Sequence, residues 1–240
     1  MKSIFIILIL MSMSSLIYPQ FQKDQFSTTG GDLSITFIGH GTLMMEYEGI
    51  VIHIDPVGEY ADYSKMPKAD LILVTHQHGD HFDVPAIKKI QKPVTEVILT
   101  ALCASAFAEG RMLKNGDSGI YAGIPIEVVP AYNIQHERAP GKPFHPKGEG
   151  NGYILHFGKL RVYVAGDTEN TPEMKSLKGI DVAFLPMNLP YTMTPEMVAD
   201  AARAFKPKIL YPYHFGNTNT GQLVTLLKNE PVEVRIRDLK

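Results

Sequence analysis

Leu71-Ile72-Leu73-Val74-Thr75-His76-Gln77-His78-Gly79-Asp80-His81 joins an apolar run to three histidines and an aspartate within six residues. Four consecutive aliphatic side chains leave no polar face, so residues 71–74 read as a strand buried on both sides. Residues 76–81 have metal-ligand spacing. In extended backbone His76 and His78 point the same way and can grip one cation, and Gly79 permits a turn that carries Asp80 and His81 toward a second position. At this chain's own His and Asp frequencies, H-x-H-x-D-H arises by chance somewhere along it with a probability of roughly six in ten thousand. The end of a buried strand is also where α/β sheets open into a ligand crevice.

Outward from this stretch, similar short runs recur with turn residues between them. Residues 33–38, 50–54, 97–99, 124–129, 152–157, 160–164, 182–185 and 209–211 read as further strands. Residues 84–91 carry an apolar helical stripe. Thr194-Pro195-Glu196 supplies an N-cap, a first-turn proline and an early acid for a second helix, and residues 221–228 suit a third. Strands with terminal helices in both halves, and no Pro/Ser-rich linker between them, predict one layered α/β domain. Residues 137–150, with three glycines and three prolines, form a long excursion between two strands and so a candidate for function.

The 240 residues are 45% hydrophobic and 20% charged, enough for one sizeable core and incompatible with disorder. With 23 basic and 25 acidic side chains the chain has no electrostatic footprint for a polyanion, so no nucleic-acid partner is expected. Cys103 is the sole cysteine. A thiolate metal site is thereby excluded, and any metal must be held by nitrogen and oxygen, for which nine histidines are at hand. At the N-terminus Lys2 precedes an apolar run over 4–18 and then a polar stretch, which reads as a signal peptide over 1–22 ahead of a domain at 30–240. Export to the periplasm or medium is expected, with retention as an N-terminal membrane anchor the alternative and no stable membrane span in the mature chain. Fifteen helical residues reach about 22 Å, short of the roughly 30 Å hydrocarbon layer.

Five segments together resemble the metallo-β-lactamase fold superfamily of metal-dependent hydrolases: Asp-Leu-Ser-Ile-Thr-Phe-Ile-Gly-His-Gly-Thr-Leu at 32–43, Ile-His-Ile-Asp-Pro at 52–56, the histidine motif, Val-Ala-Gly-Asp-Thr at 164–168 and Tyr-Pro-Tyr-His-Phe-Gly at 211–216. They occur in the family's order, and the likeness is greatest to the branch of ascorbate-lactonase-like and Zn-dependent hydrolases. The resemblance implies an αββα sandwich with a binuclear site of two divalent ions, zinc by family expectation, although His and carboxylate ligands also accept Mn, Fe or Ni. It implies that His76, His78 and a third histidine hold one metal, that Asp80, His81 and His214 hold the other, and that Asp167 bridges them. For the third histidine the Phe-His-Pro-Lys-Gly pattern favours His145, and His136 stays open.

Asp55, at a strand end before a proline, suits a carboxylate that orients a metal-bound imidazole. His53 and His156 lie inside strands and default to structural positions. Cys103 reads as a small buried hydrophobe. The expected chemistry is attack by a metal-bridged hydroxide on a small ester, lactone or phosphodiester. In that scheme Asp80 or Asp167 accepts the proton, and His40, Asn133 or Tyr191 positions the developing oxyanion. The alternatives are a catalytically silent metal- or ligand-binding protein of the same fold, or a β-lactamase.

Overall fold

The computed structural model describes residues 21–240. The proposed signal peptide therefore lies almost wholly outside the described residues. Strands β1 (Gln22–Ser27), β2 (Asp32–Gly39), β3 (Thr42–Tyr47), β4 (Ile50–Ile54) and β5 (Leu71–Leu73) are followed by helix α1 (Val84–Ile90). Next come β6 (Glu96–Leu99), α2 (Ala101–Ala104), β7 (Arg111–Met112), β8 (Ser118–Tyr121) and β9 (Ile124–Ala131). A small hairpin, β10 (Glu137–Ala139) and β11 (Lys142–Pro143), precedes β12 (Gly150–Phe157), β13 (Leu160–Val164), α3 (Pro172–Ser176) and β14 (Val182–Pro186). The chain closes with α4 (Pro195–Phe205), β15 (Ile209–Tyr213), α5 (Thr220–Leu227) and β16 (Glu233–Val234).

Two seven-stranded sheets repeat one plan. The first runs β1 to β7 in order, antiparallel through β4 and parallel from there. The second runs β8-β9-β12-β13-β14-β15-β16, antiparallel through β13 and parallel afterwards. The period of two decides which side chain goes where. Leu71 and Leu73 join the core between the sheets, whereas Ile72 and Val74 join Ile87 and Ile90 of α1 on the outer face. The same alternation sends Ile52 and Ile54 inward and leaves His53 on the outer face, where its Nε2 lies 3.1 Å from the Pro67 carbonyl. On the other sheet α4 begins at Thr194, whose side chain accepts from the Met197 N–H, and presses Val198, Ala202 and Phe205 into the core. Each fully buried Val or Phe contributes about 1.5–3 kcal/mol. The result is an αββα sandwich in a single domain.

Several elements depart from the sequence reading. The domain begins before residue 30, because Gln22–Ser27 pairs along β2; a polar edge strand whose sole buried side chain is Phe26 carries no apolar signal. Thr42–Tyr47 is a strand without alternation, buried on both faces over its first four residues. The helices at Ala101–Ala104 and Pro172–Ser176 are one turn long, too short for periodicity. Within the 137–150 excursion the backbone is partly regular, through the β10–β11 hairpin. Cys103 is free and fully buried.

Candidate metal centre

The ends of strands in both sheets meet at one edge of the sandwich, and the ionisable side chains there begin within three residues of those ends. His40 follows β2, Asp55 follows β4, the histidine motif follows β5, Asp167 follows β13 and His214 follows β15. The sheets are tied together at this point: the Asn151 N–H donates to the Thr75 carbonyl at 2.9 Å, and the Tyr153 hydroxyl donates to the Val74 carbonyl at 2.7 Å. His40, Asp55 and His214 have positive φ of 51°, 46° and 48°. Non-glycine residues held in this sparsely populated region cost about 1–3 kcal/mol each and cluster at functional sites. Gly79 makes the turn after His78 without a left-handed backbone; the His81 and Phe82 N–H groups close it on the His78 carbonyl.

Three groups of donors result, one of which, His76, His81 and Asp167, joins the other two. His76, His78 and His145 form one, with ligating atoms all within 4.8 Å of one another, and His40, Asp80, His81 and His214 form a second on the same criterion. Asp167 lies between them. Its Oδ2 is 3.3 Å from the Nε2 of both His145 and His214, and its Oδ1 is 3.5 Å from His81 Nε2. His136 is elsewhere: its Nδ1 lies 2.7 Å from Glu169 Oε1, and it belongs to none of these groups.

Buried carboxylates and amides fix the imidazoles. Asp55 is wholly buried and accepts from Thr75 N at 2.7 Å and Thr75 Oγ1 at 2.6 Å, and its Oδ2 lies 2.7 Å from His81 Nδ1. His81 therefore turns Nε2 toward Asp167. On the other side Asn133 Oδ1 lies 2.7 Å from His145 Nδ1, while Asn133 Nδ2 donates to Glu169 Oε1 and to the Tyr191 carbonyl. Every polar group of the Asn133 amide is thus engaged. The expectation that Asn133 helps to hold an oxyanion is corrected accordingly: it orients His145. Sequence reasoning missed Glu169, a fully buried carboxylate that also accepts the N–H groups of Ile134, Gln135 and His136. Its nearness to Asp167 in sequence was the available signal. Gly41 was also missed, where a Cβ would stand 2.5 Å from His81 Cε1.

The residues fit a cation. His81 Nε2, Asp167 Oδ1 and both ring nitrogens of His214 are buried without a hydrogen-bond partner among the described residues. Each such orphan costs about 1–3 kcal/mol unless something occupies its lone pair or proton. The charge pattern agrees. Burial alone would push His81 down, but the Asp167 and Asp55 carboxylates outweigh it and hold the imidazole up at about 9. Burial and the charge of His81 push His76 well below its ordinary value. Burial would raise Asp167, yet the surrounding His214 and His81 keep it well below the usual carboxylate range. A divalent ion bound here competes with protons for the same nitrogens.

Above the donors opens a cavity of about 460 Å³, lined by His78, Asp80 and Asp167 on its floor and by Arg138, Phe144 and Tyr191 at its rim. That volume suits a small organic molecule. Asp80 is partly exposed toward the cavity, and His40 Nε2 stands 3.3 Å from its Oδ2. The Tyr191 side chain faces the cavity, and the residue is 45% exposed.

A family model described as Beta-lactamase superfamily domain matches residues 34–214. The chain belongs to the beta-lactamase superfamily. A metal-dependent hydrolase of Enterococcus faecalis is 32% identical over 193 residues, covering 74% of this chain and 85% of the relative. A metal-dependent hydrolase of Nanoarchaeum equitans is 30% identical over 208 residues, covering 85% and 90%. The crystal structure of a Parabacteroides distasonis protein, described provisionally as a metal-dependent hydrolase, is 52% identical and superposes with a TM-score of 0.88 over 92% of this chain and 100% of that one. Igni18, a metallo hydrolase of Ignicoccus hospitalis, shares this fold with a TM-score of 0.70 at 22% identity, covering 86% of this chain and 95% of that one.

Proposed function

We propose that this chain is a binuclear metal-dependent hydrolase of a small ester, lactone or phosphodiester. His76, His78 and His145 hold one divalent cation, Asp80, His81 and His214 hold the other, and Asp167 contributes to both. The observation that carries this reading is the convergence of these seven side chains around buried nitrogens and an oxygen that have no other partner. The hydrolase relatives support it. Imidazole and carboxylate donors accept zinc, manganese, iron or nickel, and zinc is the ion the family resemblance implies. A pair of such ions supplies a water of near-neutral acidity and polarises the scissile carbonyl or phosphoryl group.

The protein's own groups do the rest. Hydrolysis joins the water oxygen to the acyl carbon or phosphorus, breaks that atom's bond to the leaving oxygen, and passes one proton from water to the leaving group. Asp80, open to the cavity and held by His40, takes that proton and returns it. Asp167, enclosed by histidines, serves as a ligand. His40 positions Asp80 and faces the cavity itself, within reach of a substrate oxygen. The Tyr191 phenol at the rim donates to the developing oxyanion or the leaving oxygen.

The test is to strip the purified protein with chelator, reload it with zinc, count metal by elemental analysis, and assay lactone, phosphodiester and cephalosporin panels. Two equivalents per chain with turnover of a lactone, ester or phosphodiester is the expected result. One equivalent or none overturns the binuclear reading. Two equivalents without turnover on any panel identify a binding protein, and turnover confined to cephalosporins identifies a β-lactamase.

A further inference from the structure

Six arginines occur in the chain. Arg161, Arg203, Arg235 and Arg237 each pair with a carboxylate. Arg111 and Arg138 have no ion-pair partner among the described residues, and of these two Arg138 alone lines the cavity over the metal centre. Among the described residues it is also the only lysine or arginine that does so. Its position is built: it lies on β10, its Nη2 donates to the Phe144 carbonyl at 2.7 Å, and its guanidinium lies 5.7 Å from the centroid of the Phe144 ring. The Phe144 ring in turn meets Tyr191 edge to face, with centroids 5.2 Å apart. One cavity wall is therefore an aromatic pair topped by a cation that has no counter-charge and keeps most of its N–H donors free. A guanidinium in this state offers a planar fork matched to the two oxygens of a carboxylate or phosphate.

We propose that the substrate is a small organic anion whose carboxylate or phosphate group is bound by Arg138 and whose hydrocarbon or ring portion lies against Phe144 and Tyr191. The scissile bond then lies over the floor formed by His78, Asp80 and Asp167. This specificity assignment rests on the hydrolase reading above. It makes Arg138 a binding residue, outside the machinery that activates water, and so its loss is read in KM and leaves kcat alone.

The test compares wild type, Arg138→Met and Arg138→Lys, each reloaded with zinc and matched for metal content and thermal midpoint. Hydrolysis is measured on paired esters and lactones that differ only in a neutral, carboxylate or phosphate substituent. Wild type is expected to prefer an anionic member, and R138M to raise KM for that member by about 10- to 100-fold, the worth of a lost charge-assisted hydrogen-bond pair. Neutral members and kcat stay unchanged, and R138K recovers part of the loss. The carboxylate and phosphate arms show which anion is meant. Equal KM in wild type and R138M, or a preference for neutral members, overturns the proposal. If metal-loaded wild type turns over no panel member, the hydrolase reading fails, and the anion site is judged by calorimetric binding of phenylphosphonate and benzoate. Binding weakened about tenfold or more in R138M upholds it; binding unchanged in R138M refers the anion to the metals and refutes it.

Discussion

Replacing Asp55 with asparagine removes one charge and almost no volume, and its expected consequence is to turn His81 around. The carboxylate accepts three short hydrogen bonds, from Thr75 N, from Thr75 Oγ1 and from His81 Nδ1, in a fully buried position. An asparagine there must keep its oxygen toward the Thr75 N–H, since a backbone donor cannot face an amide NH2. The NH2 then faces Thr75 Oγ1, which can rotate to accept, and His81 Nδ1, which can accept only if its proton moves to Nε2. Nε2 is the nitrogen aimed at Asp167 Oδ1, 3.5 Å away, and a protonated Nε2 has no lone pair for a metal. Loss of such an orienting partner costs about 10- to 100-fold in metal affinity, or about 1.4–2.8 kcal/mol. The loss falls on the position shared with Asp80 and His214 and spares the one held by His76, His78 and His145. Zinc titration against a competing chelator should show the second equivalent weakened by that factor and the first unchanged. If Asp55→Asn binds both equivalents within about twofold of wild type while remaining folded, Asp55 does not set the His81 tautomer.

His145→Ala should lose one equivalent of zinc by elemental analysis, whereas His136→Ala should keep both, because the His136 ring is bonded to Glu169 and is remote from the donor groups. Glu169→Ala leaves the N–H groups of residues 134–136 without their acceptor, so a destabilisation of about 3–5 kcal/mol is expected by denaturant titration, with faster proteolysis of the 134–144 loop. Gly41→Ala forces a methyl against the His81 ring and should weaken the second zinc while preserving the far-ultraviolet circular dichroism. For Asp24, burial would raise the carboxyl, but the Tyr211 hydroxyl and the Arg237 guanidinium outweigh it and hold it below 3.8. Its stabilisation is thus fully present above pH about 4 and lost as pH falls through the lowered value. Asp24→Asn should cost about 1–2 kcal/mol at pH 7, with the gap to wild type closing in urea titrations as pH falls through the lowered value.

The core strands were legible because their burial pattern is local. Residues 50–54, 160–164 and 182–185 each carry their own run of branched side chains, and α4 announces itself by Thr194, Pro195 and the apolar stripe behind them. What escaped was whatever draws its stability from a neighbour. The edge strand Gln22–Ser27 is made a strand by the backbone of β2, and its Asp24 is engaged by Arg237 from the other end of the chain. No window of sequence contains both partners.

The histidine site divides along the same line. His76, His78, Asp80 and His81 are neighbours in sequence, so their spacing alone announces a chelate. The groups that hold them, Asp55 on His81 and His40 on Asp80, lie 26 and 40 residues away along the chain, so their strand-end places mark them as candidates but no local spacing says which side chain each one holds. His136 and His145 show what this costs. Both have Nδ1 beside a side-chain oxygen, Glu169 for one and Asn133 for the other, so neither composition nor capping chemistry separates them. The separation is made by the intervening chain. The Asn133 N–H donates to the His145 carbonyl, the His145 N–H donates to Asn133 Oδ1, and residues 134–144 close into a hairpin-bearing excursion between those two bonds. In space His145, and not His136, therefore follows Asn133 at the sheet edge, with Nε2 delivered 3.2 Å from His78 Nδ1. The same excursion carries Arg138 and Phe144 to the cavity rim. The loop that obscures the third histidine in the sequence is thus also the element that shapes the pocket, and altering its length should change substrate choice while leaving the metal count intact, provided the Asn133–His145 closure is kept.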